Sequence, residues 1–188
     1  NLDYFNFEGV KFYVYNLPTA GDIIYTDSIA NGMAFVPETG PEGFIQGSPE
    51  DEPGNTVYEY PQFTHILTRD LLVMQTEFSN QMWDDLHALQ PSFPENPLTG
   101  IANYLIDEPV MCASWSQMIL CANILSMQQG LTPCYYADQA FTTVIDATNY
   151  LDIEEYDIFP YCNFDANGFR IPTEGEWEYF CRAGTTTP

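Results

Sequence analysis

The sequence has little positive charge. Lys11, Arg69, Arg170 and Arg182 are its only lysine and arginine residues, and two histidines complete the basic set. Against them stand 27 Asp and Glu residues, for a formal net charge of −23. A field of that sign repels phosphate backbones and anionic lipid, so nucleic-acid and membrane-surface partners are not expected. Its plainest meaning is a solvated acidic surface suited to a salty or calcium-containing medium. No apolar run approaches the roughly 20 residues of a membrane span, so no membrane insertion is expected either.

Other absences narrow the chemistry. There is no Gly-rich phosphate loop and no Gly-x-Ser-x-Gly turn, which removes the usual nucleotide cradle and the usual hydrolase nucleophile. There is no Cys-x-x-Cys and no His-x-x-x-His spacing, which leaves little basis for a thiolate or imidazole zinc site. His65 falls in a strand reading and His87 in a helix reading, neither with a companion at ligand or triad spacing. The chain shows no internal repeat. It begins Asn-Leu-Asp-Tyr, without an initiator Met or a signal peptide, and reads as a processed mature chain or a fragment.

What is present is apolar and aromatic. Hydrophobic residues make up 45% and aromatic residues 15% of 188, enough for one packed domain with a sizeable core. Five cysteines exceed what a cytosolic domain of this size needs and point to an oxidising compartment, so a secreted, extracellular or periplasmic protein is expected.

Residues 1–31 alternate aromatic and polar positions around Phe12, Tyr13, Val14 and Tyr15, with breaks at Asn16-Leu17-Pro18 and Gly21-Asp22. They read as a strand extension to a main domain over 32–188. Strands are expected at Gly32–Pro37, Gly43–Ser48, Tyr58–Thr68 and Leu71–Thr76, with an acidic turn-rich loop at Ser48–Asn55. Ser79 is placed to cap a helix over 80–89 with Met82, Leu86 and Leu89 on one face, and Pro91 ends it. Ser114 and Gln117 form a capping-box pattern for a second helix, with Trp115, Met118, Ile119, Ala122 and Leu125 at helical spacing and Gly130 as its C-terminal stop. Thr173 and Glu176 form another for a third helix, whose inner face is expected to hold Trp177, Phe180 and Cys181. The sum is an α+β domain with much irregular backbone.

Several strings lie in one order. They are Gly32–Pro37, Gln46–Gly54, Leu67–Asp70, and Met74–Glu77 with Asn80 and Trp83. Pro109-Val110, Ser114-Trp115, Cys121, Asn123, Leu125, Ser126 and Gly130–Tyr135 follow. The last is Asn167–Tyr179 with Arg182-Ala183-Gly184. In that order and spacing the chain resembles the formylglycine-generating-enzyme (sulfatase-modifying factor) family over about residues 32 to 188. The resemblance implies an irregular α+β fold related to C-type lectin folds. It also implies that the family's calcium loops, and the two thiols that bind copper and activate oxygen, lie beyond Pro188. No cysteine here matches those thiols, so oxidation of a sulfatase cysteine to formylglycine is not carried onto any residue of this chain. Copper is expected only with that further part present.

The resemblance also assigns structural parts. It implies a disulfide between Cys134 and Cys162, closing a loop of 27 residues and contributing about 3 kcal/mol on the chain-entropy estimate. Cys121 and Cys181 stand where secreted relatives pair with cysteines of the further part; Cys112 is unusual for the family. These three are left as free thiols or intermolecular links, with a Cys121–Cys181 pair as a further alternative. Arg170, Thr173, Glu176 and Trp177 read as a structural motif, with ion pairing expected of Arg170 and Arg182 and a buried ring of Trp177. Asn163, Asp165, Asn167 and Glu174 match most of a calcium loop, and Glu50–Glu52 and Asp152–Asp157 are looser acidic candidates, although a turn and helix cap also account for the first set.

Three functions follow. One is a secreted, non-catalytic binding or assembly module with a protein or glycan partner, or self-association. Another is part of a copper-dependent oxidase. The last is a structural subunit of a disulfide- or calcium-linked extracellular assembly.

Overall fold

The computed structural model describes residues 3–7, 10–14, 20–21, 23–27, 31–101, 105–155 and 159–185. The break expected at Asn16-Leu17-Pro18, and residues 156–158 of the acidic candidate segment, lie outside them. The strands are β1 (Asp3–Phe7), β2 (Val10–Val14), β3 (Ile23–Asp27), β4 (Asn31–Val36), β5 (Phe44–Gln46), β6 (Phe63–His65), β7 (Leu71–Met74), β8 (Tyr135–Tyr136) and β9 (Tyr161–Cys162). The helices are α1 (Asn80–Leu89), α2 (Trp115–Gln128), α3 (Asp152–Glu155) and α4 (Glu174–Arg182). Packing divides the chain into two units, Asn1–Gln75 with Glu178–Pro188, and Thr76–Trp177.

The first unit is built from small antiparallel sheets. β1 and β2 pair antiparallel with Phe5 opposite Phe12. β3, β4 and β7 form a three-stranded sheet in that order, with buried Met33 opposite Met74. β5 pairs β6 with Phe44 opposite His65. Gly43 lets these two strands meet: its φ is +66°, and a Cβ there would strike the His65 carbonyl and the Thr64 methyl. The strand expected over Tyr58–Thr68 shrinks to Phe63–His65. Pro61 has no N–H to give a ladder, and the preceding residues close a loop instead, with Ser48 N donating to the Glu59 carbonyl at 2.8 Å.

The second unit carries the main helices. Ser79 caps α1 by accepting from Met82 N. Met82, Trp83 and Leu86 are buried, whereas Leu89 is exposed, so the inner face is set by Trp83 rather than by Leu89. The indole of Trp83 packs at a tilt against Phe93, centroids 4.7 Å apart, and donates to the Pro94 carbonyl at 2.9 Å. The proline-rich stretch after α1 is therefore folded back over it. Buried Asn80 and Asn96 hold the same stretch: the Asn80 amide donates to the Leu105 carbonyl and accepts from Asn96.

The α2 capping box forms as the Ser114/Gln117 spacing predicts. The helix differs from an amphipathic one, because every residue from Ile119 to Ser126 is buried. Trp115, expected on the inner face, is exposed at the first turn. Ile119, Ala122, Cys134, Tyr135, Ile145 and Ile153 form the core beside α2.

Candidate functional site

Two places gather the side chains singled out above. In the second unit the segment before α4 is organised by Arg170. Its guanidinium grips Glu176 at two points, 2.6 Å and 2.5 Å, and lies 5.1 Å over the Phe164 ring. Glu176 also accepts from Thr173 N, and Thr173 Oγ1 accepts from Glu176 N, so the cap and the ion pair share one carboxylate. Burial opposes the charged form of Glu176, but Arg170 and the Thr173 amide outweigh it and hold its pKa below the ordinary carboxylate value.

That pair also orients α4. With Glu176 turned inward, the 100° step of a helix turns Trp177 outward. Trp177 is 59% exposed, and Cys181, one turn later, is exposed too. The inner face holds Gly175 and Glu176, with Phe180 half-buried, which corrects the expected face of Trp177, Phe180 and Cys181.

Cys134, Cys162 and Tyr135 lie around the same guanidinium. Tyr135 accepts from Ile171 N, and burial pushes its phenol up to about 12. Burial raises the Cys134 thiol, an effect partly offset by Arg170. Burial, and then the neighbouring Cys134, push Cys162 up to about 11. In the ladder Cys162 faces Tyr135, and Asn163 N donates to the Cys134 carbonyl, so the two cysteines sit one register step apart. All five cysteines are thiols in this structure. Cys121 is buried within α2, and burial raises its pKa; Cys112 and Cys181 are exposed.

The metal candidates are engaged locally. Asn163 Oδ1 accepts from Asp165 N within a turn, and Asn167 Oδ1 accepts from Thr132 N across the fold, so both side-chain oxygens already serve the structure. Glu174 stands in the first turn of α4. Among the described residues no three His, Cys, Asp or Glu side chains converge on a point that could hold a metal ion.

Sequence reasoning missed the parts played by Asn123 and Ser126. Asn123 bridges α2 to the backbone of Tyr135 and Ile145. Ser126 Oγ accepts from Phe169 N. Gly168 makes that approach achievable, since a Cβ there would collide with Ser126 Oγ and the Thr132 carbonyl. The available signal was two polar residues inside the otherwise apolar run 118–127 of α2.

In the first unit an open cavity of about 500 Å³ is walled by Phe44, Ile45, Gln62, Tyr179 and Arg182. Phe44 and Tyr179 pack with centroids 5.0 Å apart. Arg182 pairs with Glu178 at 2.6 Å and also donates to the Gly47 carbonyl.

The family model of the sulfatase-modifying factor enzyme 1-like domain matches residues 31–187. Over 120 residues the chain is 28% identical to the chaperone protein LppX of Paenibacillus barcinonensis, a match covering 64% of this chain and 39% of that protein. The fold is similar to Treponema denticola variable protein 1, with a TM-score of 0.57 and 22% identity over 86% of this chain and 57% of that one. It is also similar to CarF, with a TM-score of 0.51 and 21% identity over 80% and 56%. The chain thus spans less than two thirds of the length of each. The architecture is the irregular α+β type related to C-type lectin folds.

Proposed function

We propose that this chain, which belongs to the sulfatase-modifying factor enzyme 1-like family, acts outside the cytoplasm as a binding or assembly module. The observation that carries the reading is a division of labour. The family strings of the second unit are occupied with holding the fold: Arg170 with Glu176, Thr173 with the α4 cap, Asn123 with β8. The first unit, by contrast, presents an open cavity with aromatic walls. The name of LppX, a chaperone protein, adds support for a role exerted on another macromolecule. A protein or glycan partner, or a second copy, fits this role. Fold alone does not decide among them.

Two exposed thiols favour a second reading. Cys112 and Cys181 are accessible for links to other chains, as a disulfide-linked extracellular assembly requires. Cys134, just before β8, and Cys162 in β9, one register step apart, are proposed to close an internal bridge in the oxidising compartment. Native mass spectrometry with and without reductant and chelator tests these readings. A monomer that keeps its mass in both buffers supports the binding module; a particle that falls apart only on reduction supports the linked assembly. A third reading, part of a copper-dependent oxidase, rests on the family alone and is tested by turnover.

A further inference from the structure

The geometry points to the cavity of the first unit as a site for a neutral saccharide. This deepens the binding-module reading and rests on it. The volume of about 500 Å³ lies within the ~300–1,000 Å³ of small-molecule sites. Two of its walls are the rings of Phe44 and Tyr179, and the aromatic series continues through His65 to Phe63, with centroid steps of 5.6 and 6.1 Å. Phe63 and Ile45 are both about half exposed. An aromatic face carries negative π density and suits the C–H-rich face of a pyranose ring.

The polar groups decide the charge of the ligand. Arg182 donates through Nε and Nη2 to Glu178, and Gly47 N donates to the same carboxylate oxygen at 2.8 Å. The guanidinium charge is thus already neutralised where it lines the cavity. An anionic ligand meets no uncompensated cation there and must approach a chain of net charge −23. A cationic ligand meets a carboxylate already paired. Arg182 Nη1 and the Tyr179 hydroxyl, by contrast, have no hydrogen-bond partner among the described residues, and Gln62 keeps its side-chain oxygen. Donors and acceptors around two rings, with no net local charge, match a polyhydroxylated neutral ring.

Saturation-transfer NMR with maltose, cellobiose, lactose and N,N′-diacetylchitobiose, each at millimolar concentration, tests the inference. At least one sugar is expected to bind saturably, with transfer from the Phe44 and Tyr179 rings. Tyr179→Phe keeps the ring and the fold, and should weaken binding by about three- to tenfold through one lost hydrogen bond. Tyr179→Ala should abolish the transfer; where it unfolds the unit, the Tyr179→Phe titration and the ring assignment carry the test. Silence with all four sugars, binding indifferent to Tyr179→Phe with no signal from either ring, or binding of an acidic peptide at these rings in place of sugar would each overturn the proposal. A sugar-blind protein that still self-associates in native mass spectrometry would overturn this site alone and leave the module reading standing.

Discussion

The side-chain amide of Asn123 holds the peptide of Tyr135 from both sides: it accepts from Tyr135 N at 3.0 Å and donates to the Tyr135 carbonyl at 2.8 Å. The same amide nitrogen donates to the Ile145 carbonyl at 2.8 Å. One buried residue of α2 thereby ties the helix to β8 and to the segment bridged to it, where Tyr136 pairs with Val144 and Ile145 N donates to the Tyr135 carbonyl. Asn123→Ala should leave two buried backbone groups unpaired, Tyr135 N and the Ile145 carbonyl, while Ile145 N still donates to the Tyr135 carbonyl; the cost should be about 3 kcal/mol, read from urea denaturation. Asn123→Asp keeps the acceptor and loses the donors, and should not restore stability.

Gly168 marks the closest approach of the segment after β9 to α2. Gly168→Ala places a methyl against the Thr132 carbonyl and Ser126 Oγ, and should cost about 2 kcal/mol through forced backbone movement. Gly130→Asn, at a helix stop with φ +68° and open space around it, should cost far less. Equal midpoints for the two variants would contradict the packing described.

The Arg170–Glu176 pair sets a pH dependence. The folded pKa of Glu176 lies below its ordinary value, so its stabilisation is fully present above the ordinary carboxylate range and is lost as pH falls through the folded value. Glu176→Gln should flatten the acid limb of the stability profile. At neutral pH it should cost about 3 kcal/mol, because it strands a largely buried guanidinium. An unchanged acid limb would place the acid sensitivity elsewhere.

The thiols should separate by burial. Cys112 and Cys181 are exposed and should react quickly with a maleimide in the native protein, while Cys121 and Cys134 are buried and should react only on unfolding. In protein recovered from an oxidising compartment without reductant, denaturation should expose three reactive thiols if Cys134 and Cys162 have bridged, and five if they have not. Quantitative mass spectrometry of the labelled chain reads both numbers.

What was legible in the sequence was local. The Ser79, Ser114 and Thr173 caps act on amides three residues away, so their spacing alone placed three helix starts. Helix faces were less legible. Trp115 and Trp177 are apolar and fell on plausible inner stripes, yet the buried partner of Arg170 at position 176 turns Trp177 outward. Asn123 was hidden for the opposite reason: a polar residue in an apolar run signals burial only once the strand it serves is known. The cavity joins Phe44 to Tyr179 from opposite ends of the chain, and no spacing rule connects such residues.

The most direct measurement of the central claim, that this chain binds rather than oxidises, is turnover of a cysteine-containing sulfatase-motif peptide. The purified chain is incubated with the peptide, copper, oxygen and a thiol reductant, and the peptide is followed by mass spectrometry. The account predicts an unchanged peptide, because the family resemblance places its two copper-binding thiols on no cysteine of this chain. Conversion of the cysteine to an aldehyde, abolished by Cys134→Ser or Cys162→Ser, would contradict it and make the Arg170 cluster an active site.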